Sequence, residues 1–114
     1  MAGTSLKLSW YYILLSLASA DRHGLAIARE VLSLSDGQVR LWPAMLYGAL
    51  EDLADRGWIE ELTSERQRPD ESERKRYYRL TRAGRAAAAA ETDRLAGLVR
   101  VARSRVKPRA GETS

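Results

Sequence analysis

The hydrophobic period changes twice along this chain, and no other feature narrows the fold as much. Up to Leu53 the bulky residues recur at the three- and four-residue spacing of helices. Between Trp58 and Leu80 they alternate in short runs, as in strands, and from Thr81 onward the helical spacing returns. Helices, a small β unit and a further helix must therefore share one core. With 114 residues the chain has room for one such core and not for two independent ones.

Leu6, Trp10, Ile13, Leu14 and Leu17 form one stripe of a first helix, over about Ser5 to Ala20. Lys7, the apolar stretch Trp10 to Ala18 and the Ala18-Ser19-Ala20 ending imitate a secretory signal. A signal needs no stripe, and Tyr11, Tyr12 and Ser16 interrupt this one, so an amphipathic helix is the preferred reading. No run reaches the ~18–20 apolar residues that cross a bilayer, and a cytoplasmic location is expected. Asp21 offers an N-cap for a second helix, roughly Arg22 to Ser33, with Leu25, Ala28, Val31 and Leu32 on one face. Ser35, Asp36 and Gly37 make a turn. Pro43 suits the first turn of a third helix, whose Leu46, Leu50 and Leu53 form a buried seam while Glu51, Asp52 and Asp55 face solvent. Gly57 fits a left-handed C-terminal cap.

Trp58 to Leu62 and Arg76 to Leu80 read as a two-stranded hairpin, with Tyr78 and Leu80 sharing one face and Tyr77 and Arg79 the other. The connection Thr63 to Lys75 is long for a hairpin. Thr81 can cap a final helix that runs through the alanines 86–90 to about Arg105, and a polar tail, 108–114, follows. The predicted fold is mainly α with a small β-hairpin wing: a winged helix-turn-helix domain over 5–82, a long C-terminal dimerisation helix over 83–107, and a disordered tail.

Composition removes most enzymatic chemistries. Cysteine is absent and His23 is the single histidine, which excludes disulfides, thiolate metal sites and multi-histidine zinc sites within one chain. No glycine-rich phosphate loop or nucleophile arrangement is present. The reading is of a protein that is not an enzyme and needs no cofactor. His23, at a helix start, reads as a capping or packing residue. Trp10, Trp42 and Trp58 read as core anchors, since phenylalanine is missing and core bulk must come from elsewhere. The net charge of +4 allows a polyanion partner.

Several local patterns, in order, are similar to those of the PadR-like family of bacterial transcriptional regulators. They are Ile13-Leu14 to Leu17-Ala18 with His23-Gly24-Leu25; Pro43-Ala44-Met45-Leu46-Tyr47-Gly48-Ala49-Leu50; Leu53 to Gly57 with Trp58-Ile59; and Arg76-Tyr77-Tyr78-Arg79-Leu80-Thr81-Arg82-Ala83-Gly84. Together they span about residues 10 to 85. Ala44-Met45 stands where the family prefers Gly-Thr, and Leu25 where it has Tyr. The resemblance implies a DNA-binding regulator, by family habit a repressor, that pairs through its N- and C-terminal helices.

Chemistry then selects the contacts. From Leu41 to Leu62 one arginine stands against five carboxylates, so the third helix can approach DNA only by its amino end, where the dipole is positive and amides are free. Arg40, Ala44, Met45, Tyr47 and Gly48 are the candidate DNA contacts there, with Tyr47 reading equally as a half-buried packing residue whose hydroxyl finds local partners. Arg66, Arg68, Arg74, Lys75 and Arg76 are the candidates on the wing, where Glu65, Asp70, Glu71 and Glu73 interleave with them. Leu95, Leu98, Val99, Ala102 and Val106 form a stripe on the last helix that a second copy can cover, with Leu6 and Trp10 of helix one. The pair would set two reading heads about 34–36 Å apart on a double-stranded pseudo-palindromic operator. A small-molecule effector could enter between the subunits, and no residue identifies it. Two rivals stand beside this reading: a winged-helix module that binds protein through Glu51, Asp52 and Asp55, and a small secreted basic protein cleaved after Ala20.

Overall fold

The structure, a computed structural model, describes residues 6–62 and 76–108. In chain order these form α1 (Leu8–Ala18), β1 (Arg22–His23), α2 (Gly24–Leu34), α3 (Pro43–Asp55), β2 (Ile59–Glu61), β3 (Tyr77–Leu80) and α4 (Arg82–Arg105). The expected helix start at Ser5, the wing cations Arg66, Arg68, Arg74 and Lys75, and the tail beyond Pro108 lie outside the described residues.

The core is where the helical stripes meet. Ile13, Leu14 and Leu17 of α1, Ile27 and Val31 of α2, and Leu46, Leu50 and Leu53 of α3 are buried together with Ile59, Tyr78 and Leu80 of the sheet. Each such side chain contributes roughly 1.5–3 kcal/mol by leaving water. The apolar stretch that imitates a signal is thus the centre of the core. Trp10 meets Trp58 edge to face at 6.3 Å, and the Arg56 guanidinium lies over both rings.

Three predicted boundaries hold for local reasons. Pro43 opens α3 at a position that needs no amide. Gly57, at φ +77°, ends it, its amide donating to Ala54 and the Trp58 amide to Leu53, so the last carbonyls are satisfied. Thr81 Oγ1 accepts the Gly84 amide at 3.0 Å and starts α4.

Other expectations are corrected. Helix one is shorter at both ends, with Lys7 extended before it and Ser19 as its C-cap. Asp21 does not cap α2: its carboxylate pairs with Arg79 at 3.1 Å, and the residues after it pair with β3. The cap is His23, whose Nδ1 accepts the Ala26 amide at 3.3 Å. Among the described residues the wing sheet therefore has three strands in the order β1-β3-β2, all antiparallel, where two were expected. Trp42 is no core anchor. It is 61% exposed at the N-cap of α3, its ring beneath Arg40. Trp10 is the core anchor expected of it, enclosed by Trp58 and Arg56 of its own chain, which leaves little of its ring for the dimer face where it was also expected. Leu6 likewise packs partly against that core. Leu25 is exposed, since α2 buries the side carrying Ile27 and Val31.

The first half of α4 rests on α1: Ala88 is buried, Tyr11 Oη and Thr92 Oγ1 are 2.7 Å apart, and Arg85 donates to the Ala18 carbonyl. Here Arg94 donates to both Glu91 oxygens, at 2.6 and 3.0 Å. These bonds hold the Glu91 carboxyl below the usual carboxylate range, against the opposing effect of burial, with the Leu6 amide adding to them. A carboxylate lowered on folding stabilises above its unfolded value and loses that contribution as pH falls through the folded one. Arg94→Ala should accordingly lower the melting temperature at neutral pH, with the gap to the parent chain narrowing below about pH 4. Thermal melts across pH check this, and a gap of constant size would contradict it. Beyond Thr92 the helix keeps Leu95 half-buried, and Leu98, Val99, Val101 and Val106 are all exposed.

Candidate nucleic-acid interface

The amino half of α3 is an exposed edge built by its two ends. Burial of Leu46, Ala49, Leu50 and Leu53 fixes which side faces the core, and the helical repeat then turns Ala44, Met45, Tyr47 and Gly48 outward. Arg40 is exposed just before it, its guanidinium 5.4 Å from the Trp42 ring. All five predicted residues of this end are brought together at the surface. Among the described residues an added Cβ at Gly48 would meet nothing within 4 Å, so another molecule can approach the backbone closely.

The charge on α3 is divided along its length. Glu51, Asp52 and Asp55 are exposed on the carboxyl half. Tyr47, Glu51, Asp55, Glu61, Arg76 and Tyr78 border a cleft between α3 and the sheet, and a phosphate would be repelled from most of it. Arg76, at the head of β3, is well exposed, with its Nε 3.9 Å from Glu61. This pair is loose enough for Arg76 to exchange its partner for a phosphate. Tyr78 is buried beside it, and burial first, then the Glu61 charge, pushes its hydroxyl above the usual tyrosine range.

Two residues of this edge, Arg29 and Trp42, go beyond the predicted set of contacts. Arg29 and Arg40 stand at a groove of about 330 Å³ between α2 and α3, whose apolar lining includes Leu25, Leu32, Trp42 and Leu46. Arg29 shares its helical stripe with Leu25 and Leu32, four and three residues away, and that spacing was the signal for it. Trp42 carried no such signal, because a tryptophan before a helix fits a core as well as a surface. Among the described residues no group of three or more His, Asp or Glu could hold a metal ion. No described helix is long and apolar enough to cross a membrane.

The comparisons bear on the family and the fold. The profile of the "Transcriptional regulator PadR-like family" matches residues 13–90. A transcriptional regulator from Clostridium thermocellum is similar in structure, with a TM-score of 0.71 at 23% identity over 87% of this chain and 90% of that one. A PadR family transcription regulator from Clostridium difficile gives 0.72 at 20% identity over 86% and 97%. RosR of H. salinarum gives 0.58 at 27% identity over 91% and 81%. The first two likenesses, below 25% identity, concern the fold alone: a winged helix with a long last helix. No curated protein matches the sequence.

Proposed function

The chain belongs to the PadR-like family of transcriptional regulators, and from that premise we propose a homodimeric repressor that occupies a pseudo-palindromic operator and excludes polymerase. The family is one of DNA-binding regulators and not of enzymes. One observation carries the finer reading. Arg40, Ala44, Met45, Tyr47 and Gly48 are all exposed at the amino end of α3, and the helix's own carboxylates are confined to the other end. Only an approach from the amino end puts a polyanion against a positive dipole and away from Glu51 and Asp55. Arg76 marks where the wing would meet the duplex, with Arg66, Arg68, Arg74 and Lys75 proposed alongside it. A site of this kind is filled in the cytoplasm, where the operator is.

Titration of DNA from the protein's own promoter region, followed by fluorescence anisotropy, tests the reading. Affinity should fall about a thousand-fold between roughly 50 and 200 mM salt if some six phosphates are contacted. Replacing Arg74 and Arg76 together with Ala should weaken every DNA sequence alike and reduce the salt slope by about two. Tyr47→Ala should also change the ranking among sequences. Binding that is flat in salt, or equal to the parent in all these variants, would remove the assignment. The exposed carboxylates Glu51, Asp52 and Asp55 favour one second reading, a protein-binding module, which a chain that dimerises but ignores DNA at low salt would support.

A further inference from the structure

Gly24 opens α2, directly after the His23 cap, and its backbone does not require glycine. Gly37 and Gly57 have the positive φ that favours this residue, and Gly24 does not. What it lacks is space. A Cβ at this position would stand 2.6 Å from Tyr47 Oη and 3.0 Å from both Cε1 and Cζ, closer than carbon atoms tolerate. Tyr47 lies 23 positions away on α3, 47% exposed at the candidate DNA edge.

We propose that Gly24 is a positioning residue for DNA recognition: its missing methyl seats the Tyr47 ring on the first turn of α2 and thereby fixes where the phenol meets the duplex. The proposal rests on the DNA-binding role given to Tyr47 above. Gly48, the neighbour of Tyr47, has no such function, because a Cβ there would touch nothing. A methyl at 24 would push the ring off α2, toward the cleft that Tyr47 shares with Glu51, Glu61, Arg76 and Tyr78. There the phenol would sit among carboxylates, which disfavour a neighbouring phosphate. The obstacle is the far end of one side chain, so the fold survives the substitution. Alanine is also the better helix former, and thermal stability should not fall.

Four chains separate the outcomes: the parent, Gly24→Ala, Tyr47→Ala and the double variant, each titrated with promoter DNA and with an unrelated duplex. Gly24→Ala should weaken promoter binding about ten-fold and reduce the preference over unrelated DNA, while in the Tyr47→Ala chain the same substitution should change affinity less than about two-fold. Ring resonances of ¹³C-labelled tyrosine, recorded without DNA, should show the Tyr47 signal displaced in Gly24→Ala and the core Tyr78 signal present. Equal losses in both backgrounds, or an unmoved Tyr47 resonance, would overturn the proposal. If Tyr47→Ala leaves DNA binding unchanged while its resonance moves in Gly24→Ala, the packing contact stands and the DNA role of Tyr47 is what fails.

Discussion

Gly84→Ala is expected to destabilise the protein by about 3 kcal/mol, which for a chain of this size lowers the melting temperature by roughly 10–20 °C. Gly84 is the third residue of α4 and is buried. A methyl there would run into the main-chain carbonyl oxygen of Trp58, with the Trp58 carbonyl carbon and Leu80 Cδ1 each at 2.8 Å. None of the backbone atoms can rotate aside. That carbonyl also accepts the Thr81 amide at 3.1 Å, and the Gly84 amide is the one Thr81 caps, so the methyl strikes the junction that sets α4 on the sheet. Improved helix propensity offsets at most about 1 kcal/mol. Gly97→Ala is the internal control: mid-helix, with nothing within 4 Å of its Cβ, it should gain a fraction of that amount. Calorimetry on the two variants decides, and a Gly84→Ala chain as stable as the parent would refute the close packing.

Charging the α4 stripe should have the largest effect on DNA binding. Leu98 is 56% and Val106 75% exposed, so Leu98→Asp with Val106→Asp changes nothing inside the subunit. Among the described residues α4 is tied to α1 as far as Thr92, with Leu95 half-buried beyond it, and the proposed second copy would cover the exposed remainder. Two desolvated aspartates per subunit cannot be accommodated in that apolar seam. The variant should be monomeric by light scattering, with unchanged helical content. Losing the tether between two reading heads should then lower affinity for the promoter by roughly two to four orders of magnitude. An unchanged mass, or unchanged DNA affinity in a proven monomer, would end the dimer argument.

The fold was legible where the deciding interactions are short in sequence. The stripe Ile13, Leu14, Leu17, the seam Leu46, Leu50, Leu53 and the pair Tyr78, Leu80 each bury as their periods require. The α3 end of the candidate site was legible for the same reason, since burying one side of a helix exposes the other. The core was less so. Both Trp10 and Trp42 are large aromatics beside helix starts, yet Trp10 is enclosed by Trp58 and Arg56 while Trp42 stands in solvent under Arg40. Trp10 lies on the helical stripe of Ile13 and Leu14, whereas Trp42 stands just before Pro43, outside the buried seam of its helix. Asp21 had two potential uses, as a cap and as an ion-pair partner, and Arg79, 58 positions away, took it.

The sequence by itself determined the kind and order of the four helices and of β2 and β3, and the chemistry of their ends at Pro43, Gly57 and Thr81, because periodicity and capping act through neighbours a turn apart. Only the tertiary structure decided that Arg22–His23 joins β3 as a third strand, that His23 rather than Asp21 caps α2, and that Gly24 makes room for Tyr47. Each of these is a competition between a local partner and a distant one. Its outcome depends on which surfaces the packed core brings within contact distance, and that is known only once the chain has closed on itself.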